Sequence, residues 1–480
     1  FPTSTISVQE GGELITGGEF ENNNVLFSKK SLALTVGCMK QARNCSIISD
    51  EDLLVALYKR FEDIWFGNIY AHRHLFIQVQ ERVVCDACCV AKQVDVYFFG
   101  EHPQFVVTQV LLAEEGSLNM WAENENQSAN FLLSGKLNSY GIQAETASVC
   151  ILPGGVAELT CETNVNEVDV ITRWLNISNQ AVLISKAKQN KQSEIIENSN
   201  LTTTVSCEKS LFVDGALGAF GSDLSIYCED LRNNGVIKLF TTDRSSSSFT
   251  IECDNEMFNC GTIESEGNMA IVAMTVSNES GVIKSSPSLK ISIDSHSATS
   301  LCGRVLVDKQ FFIHSKSEKE FTLNVVGGKN GEDRHFIPPD LLEVKCKMAN
   351  LKIDSSIKCS EIIQQSSNKN ESDGSVMVFS LYKYLTLTRE CELKHVQVQF
   401  NQIEQDNCNT EEPSMFVIQD SFKVKLLYIS SENAQSTDAA RKGNISFGGT
   451  NKKTIVDTLE VDSSIREVAF ETENLFVCTE

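Results

Sequence analysis

The sequence predicts a mainly β protein, made of several antiparallel β-sandwich domains stapled by disulfides. Three observations point there. Short apolar runs that alternate residue by residue recur along the chain, separated by polar or Gly-containing segments, the pattern of half-buried strands between turns. The 17 cysteines are spread over the whole length, from Cys38 to Cys478, as bridges holding successive small domains would require. Hydrophobic residues make up 41% of the chain, enough apolar surface to offset the entropy of ordering it. At about 150 residues per domain, the expected division is 1–149, 150–296 and 297–480.

In the first region, Leu32 to Val36 reads as a strand and is followed by a helix over 50–66. Ser49 with Asp52 three residues on forms a capping box, and Leu54, Leu57, Phe61 and Trp65 repeat at helical spacing, so one helix face is expected in the core. His74 to Val79, Val94 to Phe99 and Phe105 to Leu112 then read as strands. The last region, after the polar segment Ser295 to Ser300, offers Gly303 to Val307, Phe321 to Val326, Val376 to Leu387, His395 to Phe400, Phe422 to Ile429 and Glu467 to Phe470. No repeat of fixed period is visible.

The middle region carries a resemblance. Ala157 to Cys161 alternates and ends on a cysteine, Trp174 stands 13 residues later, and Cys207 or Cys228 could close a bridge. This is similar to the immunoglobulin-like sandwich, in which an indole packs on the inter-sheet disulfide. Gly267 to Val276, the turn Ser277 to Gly281, and Ser286 to Ile293 resemble that family's last hairpin. Met274 stands where an immunoglobulin domain has its second cysteine.

Charge excludes one class of partner. Asp plus Glu exceed Lys plus Arg by 64 to 41, a net charge of −23. That field repels nucleic acid and anionic lipid. No run approaches the roughly 18 apolar residues of a spanning helix. Phosphate loops, nucleophile elbows and His-Glu-x-x-His are all absent, so no catalytic residue, cofactor or enzymatic activity is expected. His72 and His74 on one strand face, with Cys85, Cys88 and Cys89 nearby, would suit zinc. In an oxidising compartment the cysteines read instead as disulfides, and no metal is expected. The Asn368 to Gly374 loop misplaces the glycine that a calcium loop needs.

Phe1, read as the start of a processed chain, and the cysteine count together predict an extracellular or virion-surface glycoprotein. Glycosylation is expected at Asn44, Asn126, Asn176, Asn200, Asn278, Asn370 and Asn444, each opening an Asn-x-Ser/Thr triplet. The expected activity is non-enzymatic binding of a protein ligand or receptor, in adhesion or surface assembly, with homo-oligomers admitted. The alternative rests on segment 212–221, whose Gly215, Ala216, Leu217, Gly218, Ala219 and Phe220 lie between Cys207 and Cys228. Such a segment resembles the membrane-inserting loops of class II viral and gamete fusion proteins, and the resemblance implies that Leu217 and Phe220 enter lipid. Tyr97 to His102 is a second aromatic stretch of the same kind.

Overall fold

The computed structural model describes residues 5–43, 45–57, 63–123, 129–161, 167–187, 201–241 and 246–285 continuously, and separate strands between 290 and 477. Every regular element among the described residues is a strand. The strands lie parallel, each beside the strand one circuit of chain earlier and one circuit later. Leu53–Leu57 runs between Leu32–Val36 and His74–Val79. Gln93–Phe98 then stacks on His74–Val79, and Leu118–Ala122 on Gln93–Phe98. The chain is wound as a β-solenoid, not folded into antiparallel sandwiches.

Contacts divide the chain into two compact units, Phe1–Asp243 and Arg244–Glu480. In the first, each circuit contributes strand to three faces. The strands just named belong to the first face. Gln104–Val107, Ala129–Leu133 and the end of Ile142–Ile151 stack on the second. Val110–Ala113, Lys136–Ser139, Val156–Cys161 and Val182–Ala187 stack on the third. The second unit repeats the scheme, with Ser248–Asn259 beside Asn268–Asn278 and Thr262–Ser265 beside Val282–Ser285.

Alternation explains the core. On each strand one set of side chains points into the coil and the other to solvent. Leu34, Val55, Ile77, Val96 and Met120 form a ladder, register neighbours up the first face and each at most 2% exposed. Burying each such side chain stabilises the coil by roughly 1.5–3 kcal/mol. Trp65 lies 6.3 Å from Phe105, which lies 6.0 Å from Phe131, all three fully buried. Small residues turn the corner from the third face to the first. The Ser49 hydroxyl donates to the Lys30 and Asp52 carbonyls, and the Ser139 hydroxyl to the Gly141 carbonyl at 2.9 Å.

Several expectations are corrected. The helix over 50–66 is replaced by the strands Leu53–Leu57 and Asp63–Ala71, while 58–62 lie outside the described residues. Leu53, Val55 and Leu57 point inward with period 2, and Leu54, needed on the helical stripe, is only half-buried. Trp65 is core, as the stripe required, but from a strand. Ser49 does accept from a nearby backbone N–H, that of Glu51 at 3.4 Å, to close a corner instead of a helix end.

No disulfide forms among the described cysteines. Inward-facing cysteines serve as small apolar wedges: Cys207 stacks beside Thr172, whose hydroxyl donates to its sulfur at 3.5 Å. Burial holds the Cys207 thiol up at about 12, so it stays protonated. The immunoglobulin resemblance fails for the same reason. Trp174 is 44% exposed instead of packed on a bridge, and Asn268–Asn278 pairs in parallel with Lys290–Leu301 rather than folding back on Val282–Ser285.

Candidate functional site

The alternation that fills the core also fixes what the first face shows to solvent. With Leu75, Ile77, Val94, Val96, Leu118 and Met120 turned inward, the outward set is His74, Phe76 and Gln78 on one strand, Gln93, Asp95 and Tyr97 on the next, and Asn119 and Trp121 on the third. Phe76, Asp95 and Asn119 are register neighbours, as are Tyr97 and Trp121. The indole of Trp121 lies 5.8 Å from the Phe76 ring and 6.1 Å from Tyr97, whose ring stacks on Phe99 at 6.1 Å. Trp121 remains 36% exposed. Four aromatic side chains therefore form a ledge on the outside of the coil, where a soluble β surface is normally polar.

Asp95 lies beside that ledge, between Phe76 and Asn119 in the register, and is 7% exposed despite its outward direction. Its carboxylate accepts from His74 Nε2 at 2.8 Å, Gln93 Nε2 at 3.1 Å and Asn119 Nδ2 at 2.7 Å. Burial would raise its pKa, but the three donors and the His74 charge outweigh it, and the net direction is down. His74 is displaced upward, first by that hydrogen bond, against the opposing effect of its own burial. Asp95 is thus an ionised clamp that fixes three polar side chains. The atoms they leave for other contacts are His74 Nδ1, Gln93 Oε1 and Asn119 Oδ1.

Beyond Trp121 the same face continues into an open groove of about 500 Å³, lined by Glu145, Thr146, Ile171, Arg173, Ser206 and Glu208. One hydrogen bond ties the two regions, from the Ala122 N–H to the Thr146 side-chain hydroxyl at 2.8 Å. Arg173 Nε stands 3.9 Å from Glu208. Trp174 and Tyr227, 44% and 40% exposed, lie on the coils of this stretch.

The residues expected to insert into membrane are placed differently. Ala216–Phe220 is a third-face strand paired on both sides, with Val182–Ala187 and Val236–Phe240. Leu217 is 1% exposed and Ala219 fully buried, so the side chain that lipid insertion needs at the surface is inside the coil. Phe220 is half-buried, stacked on Phe240 at 4.3 Å. Gly215 and Gly221 are the corners at either end of this strand. A Cβ on Gly215 would fall 2.3 Å from the Ala181 carbonyl oxygen, and one on Gly221 2.2 Å from that of Leu201. Glycine is therefore required by close stacking of corners, not by a mobile tip. In the second aromatic stretch, Phe98 is core, while Tyr97 and Phe99 belong to the ledge.

Among the glycosylation triplets, Asn278 is fully buried and its side-chain oxygen accepts from Asn259 Nδ2 at 2.7 Å. Asn176 is half-buried, with its side-chain oxygen inside. Asn444 is on the strand Arg441–Phe447. Asn44, Asn126, Asn200 and Asn370 lie outside the described residues, as does the 368–374 loop. His72 is exposed at a corner and His74 is held by Asp95, so the two histidines do not converge. Cys85 and Cys89 face inward with sulfurs 3.1 Å apart, and the hydrogen bond between the two sulfurs, with burial, keeps the Cys89 thiol well above its ordinary pKa. No group of three metal-ligating side chains occurs among the described residues. Sequence reasoning singled out His74 and Tyr97 but missed Asp95, Asn119 and Trp121. The usable signal was three successive strands whose outward positions are aromatic or amide-bearing. Compared with protein-family models, with curated proteins and with solved structures, the chain matches none.

Proposed function

We propose that this chain is a non-enzymatic binding protein whose contact surface is the outer side of the first face, centred on Phe76, Tyr97 and Trp121. The observation that carries the reading is the aromatic ledge beside a fully engaged carboxylate. Exposed rings on a rigid sheet offer contact area at little cost in conformational entropy. The Asp95 clamp prepays the ordering of the polar groups beside them. A net charge of −23 turns the surface away from polyanions. Action in adhesion at a cell or virion surface belongs to the same reading.

The test is binding of the labelled whole chain to three immobilised probe classes: phosphatidylcholine–phosphatidylserine vesicles, neutral polysaccharides, and the matrix proteins collagen and fibronectin. The expected result is saturable binding to at least one class, weakened tenfold or more in a Tyr97→Ser, Trp121→Ser variant that melts like the parent. Absence of saturable binding to all three, or equal binding by the variant, overturns the reading.

A further inference from the structure

Resting on that reading, we infer that the ligand is a neutral glycan chain, lying along the stacking direction from the ledge into the groove beyond Trp121. The first reason is chemical. A pyranose has an apolar C–H face and a rim of hydroxyls that both donate and accept. The ledge supplies flat apolar area from Phe76, Tyr97 and Trp121. Directly beside it, Asn119 Oδ1 and Gln93 Oε1 can accept from hydroxyls, and His74 Nδ1 can take either role according to its protonation. Their orientation is set by Asp95, itself almost entirely buried, so the polar rim is prearranged before any ligand arrives.

The second reason is spacing. Successive coils repeat at about 4.8 Å, the separation of hydrogen-bonded strands, which is close to the length of one sugar unit in an extended chain. Equivalent outward positions on successive coils thus meet successive sugar rings. The register carries this lane onward from Asn119 through Gln143 and Ile171 to Ser206 and Tyr227, and Ile171 and Ser206 are groove walls. Trp174 and Tyr227 stand on the same stretch of coils as further exposed rings. The third reason is charge. Among the described residues, Glu145 and Glu208 line the groove against Arg173, which favours a neutral chain over a sulfated or uronic one.

The experiment is titration of the whole chain with neutral oligosaccharides of one to six units, cello- and manno-series first and then an array of defined neutral glycans, followed by tryptophan emission and calorimetry. Heparin serves as the polyanion control. Affinity is expected to rise with chain length, to fall tenfold or more in Trp121→Ala, and to fall in Asn119→Leu. Trp174→Ala should weaken the six-unit ligand while sparing the two-unit ligand. Trp121→Phe should recover part of the loss, and matched melting temperatures show that each variant is folded. Binding to no neutral glycan, preference for heparin, or indifference to Trp121→Ala overturns the inference. If collagen, fibronectin or vesicles bind through Trp121 while glycans do not, the ligand class is wrong and the binding reading stands. If no probe is retained, both fail.

Discussion

Asp95 and His74 form the most sharply defined polar contact on the outer surface, and their titration has a sign. His74 is raised above its ordinary 6.5 in the folded chain, so its contribution is complete below that value and is lost as pH rises through the folded pKa. Asp95 is lowered below 3.8, so its contribution is present above that value and disappears as pH falls through the folded pKa. The pair therefore supports the fold best between those limits. Urea unfolding of wild type and His74→Gln at pH 6 and pH 8 checks this. The wild type should be the more stable at pH 6, and the gap should narrow by pH 8. A gap that stays constant across that range would rule the coupling out. At this scale the sequence was partly legible: His74 was noticed, but its partner is 21 positions away and on another coil.

Single elements were legible as strands but not in their pairing. Ala216–Phe220 illustrates the gap. Its small residues and flanking glycines suggest a loop when read along the chain. In the coil they make a strand whose glycine corners pack against carbonyls one circuit away. Gly215→Ala and Gly221→Ala should each destabilise by about 1–3 kcal/mol, because the new Cβ meets backbone that cannot yield. Gly218→Ala, whose Cβ would sit 3.7 Å from the Ile184 and Phe240 side chains, should change stability by no more than about 0.5 kcal/mol. Denaturant midpoints of the three variants decide it, and equal effects at all three positions would refute the corner argument. The segment over 50–66 misled for a related reason. Leu53, Val55, Leu57 and Trp65 satisfy a strand pattern, and Leu54, Leu57, Phe61 and Trp65 a helical one. Only stacking between neighbouring coils selects the first.

On the scale of the whole molecule, a solenoid is held together by contacts between adjacent circuits, so stability is distributed locally along its axis. Ile77→Ala removes one rung of the first-face ladder, at a cost of about 2–5 kcal/mol. Hydrogen exchange should accelerate first in its register neighbours, Leu53–Leu57 and Gln93–Phe98, while Asp223–Asn233 keeps its protection. Uniform acceleration over Phe1–Asp243 would mean that this unit unfolds as one cooperative body instead.

Residue order alone was sufficient for the β class, for strands such as His74–Val79 and Phe422–Ser430, and for the acidic charge, because alternation and charge are local properties of the chain. It did not reveal the winding. A solvent-facing solenoid wall has the same in–out alternation as an antiparallel sheet, and its turn residues resemble those of hairpins. Coil length hid the repeat as well: Val94 stacks on Leu75, 19 residues back, whereas Val205 stacks on Val170, 35 back. The cysteines misled because a small apolar wedge and half of a disulfide are the same letter. Only the tertiary structure decided that outward Phe76, Asp95, Asn119 and Trp121, spread over 46 positions, become neighbours, since parallel stacking brings equal positions of successive circuits within one strand spacing of each other.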